Sequence, residues 1–148
     1  MSRIRRVMHA TDFSRASGAA FKRAVELAKS NHAELLLVHV ISPAMPLVGD
    51  GYVPPQVYED MEKAANDYAQ KHLNTLIAKA KKAGVRVKGL LLEGLAHERI
   101  AQAARSRKAD IVVIGTHGRT GFAKLFLGSV ASRVLAISPR PVLTVRGK

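Results

Sequence analysis

The sequence predicts an α/β fold: one open parallel five-stranded sheet with helices on both faces. Short Leu/Val/Ile-rich runs alternate along the chain with longer segments whose apolar residues keep helical spacing. The runs are nearly continuously apolar, as strands covered on both faces must be. No internal repeat or long linker divides the 148 residues, so 1–148 read as a single domain.

In order, Ile4–Ala10 reads as the first strand, followed by a turn at Thr11-Asp-Phe-Ser14. Either Asp12 or Ser14 can cap the helix that begins there. Ala16, Ala20, Ala24, Leu27 and Ala28 form its apolar stripe, small enough for close packing on a sheet. Glu34–Ile41 is the second strand. Pro43–Pro55, rich in proline and glycine, reads as loop and as the candidate lid. A long helix is expected over Gln56–Ala83, with Val57, Met61, Tyr68, Leu73 and Ala80 at helical spacing, and Gly84 as its C-cap glycine. Val85–Leu92 is the third strand, where Gly89 marks a close contact. A helix over Leu95–Arg107, a strand over Asp110–Gly115, a helix over Ser129–Ile137 and a strand over Pro141–Val145 complete the chain.

Composition narrows the function. The chain has no cysteine, which excludes disulfides, thiol catalysis and Cys-based metal sites. No apolar run reaches membrane-spanning length, and the basic start Met1–Val7 lacks a signal-peptide core, so a cytoplasmic protein is expected. Lys and Arg number 24 against 11 acids, a formal charge of +13, but they fall on several elements rather than one stripe. With aromatics at 5% and no Trp, stacking platforms are scarce, and nucleic acid is not the expected partner.

The informative stretch is Ile111–Val130, an apolar strand breaking into a glycine-rich loop that opens a helix. Glycine lets backbone N–H groups approach an anion, and a helix N-terminus adds free donors and a positive dipole end. Gly115, two residues, Gly118, nine residues, Gly128, Ser129 fits neither GxGxxG nor the P-loop spacing. His117, Arg119 and Thr120 can line the same loop, with Arg119 offsetting phosphate charge. In an open parallel sheet, ligands bind beyond the carboxyl ends of strands at the switch point, and Asp12, Val40 and Gly115 all sit at such ends.

Read alone, the residues leave bland alternatives open. Gly115 and Gly118 suit ordinary turns, Gly128-Ser129 an ordinary cap, Asp12 an N-cap, and Val40 the core. The joint spacing, together with Ala10–Ser14, Leu37–Ile41 and Arg140–Val145, resembles the universal stress protein family in its ATP-binding branch, over nearly the whole chain. That resemblance implies a Rossmann-like, adenine nucleotide alpha hydrolase-like fold. It implies a nucleotide site at Thr11, Asp12, Val40, Gly115, His117, Gly118, Arg119, Gly128, Ser129 and Val130. ATP, or AMP or another adenine nucleotide, is the implied ligand, with Mg2+ or Mn2+ carried by its phosphates. It further implies a nucleotide-dependent stress-response module acting on protein partners the sequence does not name, and a homodimer through the edge strand holding Val142–Val145.

Metal and catalytic readings are weaker. His9, His39 and His117 fall near strand ends without tight ligand spacing, and His39 reads as a satisfied core histidine. The chain shows no nucleophile elbow, no Ser with a local base and no arginine finger, so no catalytic residue is named. A weak ATPase or nucleotidyl-transfer enzyme, and a basic nucleic-acid-associated protein, are the alternatives to the binding module.

Overall fold

The computed structural model describes residues 3–43, 53–116 and 130–147. Among the described residues, five strands, β1 (Arg6–Ala10), β2 (Glu34–Ile41), β3 (Val87–Glu93), β4 (Ile111–Thr116) and β5 (Val142–Arg146), alternate with four helices. The helices are α1 (Arg15–Asn31), α2 (Pro55–Lys82), α3 (Ala96–Ser106) and α4 (Val130–Ile137). The sheet order is β3-β2-β1-β4-β5, and every pairing is parallel. Strand order therefore reverses between β1 and β4, which opens a crevice beyond their carboxyl ends.

Alternation along the central strands feeds two cores. Val7, Leu35, Leu37 and Val113 face α1 and α2, where Phe21, Ala24, Ala28 and Leu73 cover them. Met8, Leu36, Val38, Val112 and Ile114 face α3 and α4 and meet Ile100, Ala104, Ala131 and Val134. The alanines of α1 let its backbone lie close to the sheet: a Cβ on Gly115 would come 2.8 Å from the carbonyl oxygen of Ala16. On the same face, Gly89 admits Ile77 and Leu73 of α2, as its position in the third strand suggested.

Helix ends follow local chemistry. Ser14, not Asp12, caps α1, its hydroxyl accepting from the Ser17 N–H at 3.2 Å. Gly84 follows α2 with φ +87°, a left-handed value that suits glycine, and its N–H donates to the Lys81 carbonyl at 2.9 Å. Lys29, Lys81, Lys82 and Arg105 occupy last helical turns, where cations answer the negative end of the helix dipole.

The apolar stripe assigned to α2 is only half used. Ala69, Leu73 and Ala80 are buried, whereas Val57, Met61 and Tyr68 are exposed. Helical spacing shows which side of a helix is apolar, not how far the sheet beneath it extends. In α4 likewise, Leu135 and Ile137 stay exposed while Ala131 and Val134 are buried. The third strand begins at Val87, because Val85 donates to the Ala80 carbonyl in closing α2. Most of the candidate lid, residues 44–52, lies outside the described residues.

Candidate functional site

The crevice beyond β1, β2 and β4 encloses a cavity of about 260 Å³. Of the residues singled out in the sequence, Thr11, Asp12, Val40, Gly115 and Val130 line it together. His117, Gly118, Arg119, Gly128 and Ser129 lie outside the described residues. Ser17, His39, Ala96 and Ile100 also contribute to the wall.

Asp12 is held by the turn that follows β1. Its Oδ1 accepts the Ser14 N–H at 2.8 Å and the Ser17 hydroxyl at 2.6 Å. Desolvation opposes the charge, yet these hydrogen bonds outweigh it and hold the carboxyl below its ordinary value. Asp12 is thus a fixed anionic acceptor at the mouth of the crevice. The next residue, Phe13, takes φ 65°, an unusual value for a bulky side chain. Its ring stacks on His39 with centroids 4.3 Å apart.

His39 departs from the core role its strand suggested. It is half-buried, lines the cavity, and donates from Nδ1 to the Thr11 carbonyl at 2.7 Å. That bond ties the end of β2 to the turn carrying Asp12. Just below, the ladder between β1 and β2 closes with the Thr11 N–H donating to the Val38 carbonyl at 2.9 Å. Strand β2 continues to Ile41, so the Val40 carbonyl, facing the same way as that of Val38, lies beyond the last rung. The backbone of Val40 is thereby offered to the crevice.

His9, the other described histidine near these strand ends, points away from the cavity. It is fully buried beside Phe21 and donates from Nδ1 to the Val113 carbonyl at 3.0 Å. Burial pushes its pKa from 6.5 down to about 4, more than the Val113 bond and the Asp12 charge restore. Among the described residues its Nε2 has no hydrogen-bond partner. Among the described residues, no three His, Asp or Glu side chains gather as a metal site.

The chemistry of the lining is two-sided. Val38, Val40, Ala96 and Ile100 make an apolar wall; Thr11, Asp12, Ser17 and His39 make a polar one. Such a cavity suits a flat apolar ring carrying hydroxyl groups, with the carboxylate of Asp12 accepting from the hydroxyls. Gly115 lines it too, but its missing side chain is explained by the backbone of α1 pressing against it. Ser17 and α3 were not legible as site residues. Ser17 carried only a weak signal, a second hydroxyl three residues after Ser14, and Ala96 and Ile100 reach the site only through the crossover after β3.

Comparison with known proteins agrees with this architecture. The universal stress protein family profile matches residues 3–146. The universal stress protein MJ0531 of Methanocaldococcus jannaschii is 33% identical, over 96% of this chain and 82% of its own length. A crystal structure from the universal stress protein family of Burkholderia pseudomallei superposes with a TM-score of 0.78 at 28% identity, covering 98% of both chains. A universal stress protein solved in complex with cAMP superposes with a TM-score of 0.75 at 25% identity, again over 98% of both chains. No helix among the described residues is long and apolar enough to cross a membrane. A profile match over nearly the full length, on a sheet of the same form, places this chain in the universal stress protein family.

Proposed function

We propose that the crevice binds an adenine nucleotide, ATP foremost, and that the chain works as a nucleotide-dependent stress-response module in the cytoplasm. The observation that carries this reading is the convergence of Thr11, Asp12, Val40, Gly115 and Val130 on one cavity at the switch point. Asp12 accepts from the ribose hydroxyls, and the Val40 backbone with its apolar neighbours holds the base. Gly118, Gly128, Ser129, His117 and Arg119 are assigned to the phosphates from the sequence and its family resemblance. When bound, the nucleotide supplies the phosphate charge that carries Mg2+ or Mn2+, which needs few dedicated protein ligands. The relative solved with cAMP supports an adenine nucleotide as the ligand class.

Isothermal titration with ATP, AMP and cAMP tests the assignment. Saturable binding is expected, weakened at least tenfold by Asp12→Ala and abolished by the Gly118→Asp, Gly128→Asp double variant. Unchanged affinity in both variants overturns the site.

The homodimer through Val142–Val145 belongs to the same proposal. β5 is an outer strand of the sheet, with its apolar residues only half-buried. Light scattering should give twice the 16.0 kDa chain mass; a species at 16.0 kDa across the micromolar range removes the dimer.

A further inference from the structure

We propose that the end of the sheet opposite the crevice binds the phosphate backbone of duplex nucleic acid. Along the sequence, the basic residues looked dispersed over several elements. Folding removes that dispersion. Because all strands run the same way, the segments entering β1, β2, β3 and β4 emerge side by side at one end of the sheet. They carry Arg3, Arg5, Arg6, Arg86, Arg107 and Lys108.

The carboxylates at this end do not neutralise them. Glu34 is spent on Arg6, at 3.0 Å, and reaches Lys88 at 3.7 Å. Asp110 accepts the backbone N–H groups of Arg5 and Arg6 at 2.8 and 2.9 Å. Among the described residues, Arg3, Arg5, Arg86, Arg107 and Lys108 have no carboxylate within ion-pair distance. Helix dipoles do not absorb the surplus either. The C-termini of all four described helices point here, each equivalent to about half a negative charge; other last-turn cations answer three of them, leaving only that of α4.

The guanidinium groups are also placed. Arg3 donates to the Asn31 carbonyl and Arg86 to the adjacent His32 carbonyl, each at 3.3 Å. Residues distant in sequence are thus pinned to two consecutive peptides at the end of α1. They flank a cavity of about 430 Å³ that Arg5, Arg6 and His32 also line. A guanidinium has five N–H donors in a planar fork, so one bond to a carbonyl leaves donors for a phosphate.

The surroundings select the ligand. None of the exposed large apolar side chains, such as Met61, Tyr68 or Leu95, belongs to these segments, so the surface lacks the anchors with which proteins enter a membrane interface. Neither does it carry a Phe, Tyr or Trp on which unpaired bases could stack. Regularly spaced duplex phosphates, read without regard to sequence, are what it matches.

The test is fluorescence anisotropy of the full chain with a labelled duplex of about 20 base pairs, from about 50 to 200 mM salt. Binding should weaken steeply with salt, by close to one unit of log K per log salt for each phosphate engaged. The Arg3→Glu, Arg5→Glu, Arg86→Glu variant should lose at least tenfold in affinity at the lowest salt and show a shallower salt slope. The Lys22→Glu, Lys71→Glu, Arg133→Glu variant, with the same change in net charge on other faces, should stay within about threefold of wild type. Arg3→Gln, Arg5→Gln, Arg86→Gln gives the same ordering if charge reversal prevents folding. Equal losses in the two reversed variants, no duplex binding by wild type at the lowest salt, or preference for phosphatidylserine vesicles over duplex would each overturn the proposal.

Discussion

The Ser17 hydroxyl donates to Oδ1 of Asp12 at 2.6 Å, closing the turn between β1 and α1. The bond joins a helix residue buried against the sheet to a carboxylate exposed at the crevice. It aims Asp12 and helps to hold its carboxyl below the ordinary value. Ser17→Ala should raise the Asp12 pKa toward its ordinary 3.8, as followed by NMR titration of the side-chain carboxyl. The sign follows from the direction of the shift. A carboxyl lowered in the folded state adds stability above its unfolded value, and that stability is lost as pH falls through the folded one. Ser17→Ala should therefore shrink the acid-induced loss of stability in that range, while costing about 1 kcal/mol at neutral pH by urea unfolding.

His9 gives a second, separable pH dependence. It is buried and neutral, with its pKa lowered from 6.5 to about 4, so the unfolded chain binds the proton first as pH falls. Stability should hold above pH 6.5, decline between 6.5 and about 4 by roughly 3 kcal/mol, and then level off for this group. His9→Leu removes both the titration and the unpartnered Nε2. Urea unfolding at neutral pH and near pH 4.5 should show a smaller difference in the variant than in wild type.

Two glycines should respond unequally to the same added methyl. On Gly115 the new carbon would sit 2.8 Å from the Ala16 carbonyl oxygen, part of a helix backbone that cannot swing aside. On Gly89 it would meet Cδ1 of Ile77 at 2.7 Å, the far end of a flexible side chain. Gly115→Ala should therefore cost about 2 kcal/mol or more and Gly89→Ala distinctly less, measured as shifts in unfolding midpoint.

Along α2, Leu73 and Met61 share apolar character but not surroundings. Leu73 is fully buried; Met61 is 54% exposed. Leu73→Ala should cost about 2–5 kcal/mol, whereas Met61→Lys should stay within about 0.5 kcal/mol of wild type. Equal costs would mean that the outer turns of α2 are covered in solution.

The contrast within α2 marks where sequence reading reaches its limit. The alternation of buried strands and amphipathic helices was enough for the parallel sheet, its two covered faces and the position of the crevice. Asp12, Val40 and Gly115 were legible because each sits at a strand end, and parallel topology sends all strand ends to one side. Ser17 and His39 were not, because their roles depend on side chains crossing a turn and an inter-strand gap. Ile100 was not legible as cavity wall, since that depends on where α3 starts relative to the crevice. The basic end was hidden for the same reason: Arg3, Arg86 and Arg107 come to one end of the sheet only through the crossovers that join its parallel strands.

A sheet whose strands all share one direction also sorts its helices, sending every amino end one way and every carboxyl end the other. The chain is therefore polar as an object, with different chemistry at each extremity: a crevice carrying the Asp12 carboxylate on one, guanidinium groups on the other. Contact through the guanidinium side leaves the opposite mouth facing water. On the two readings proposed above, a small molecule there comes and goes without displacing a macromolecule held at the other end.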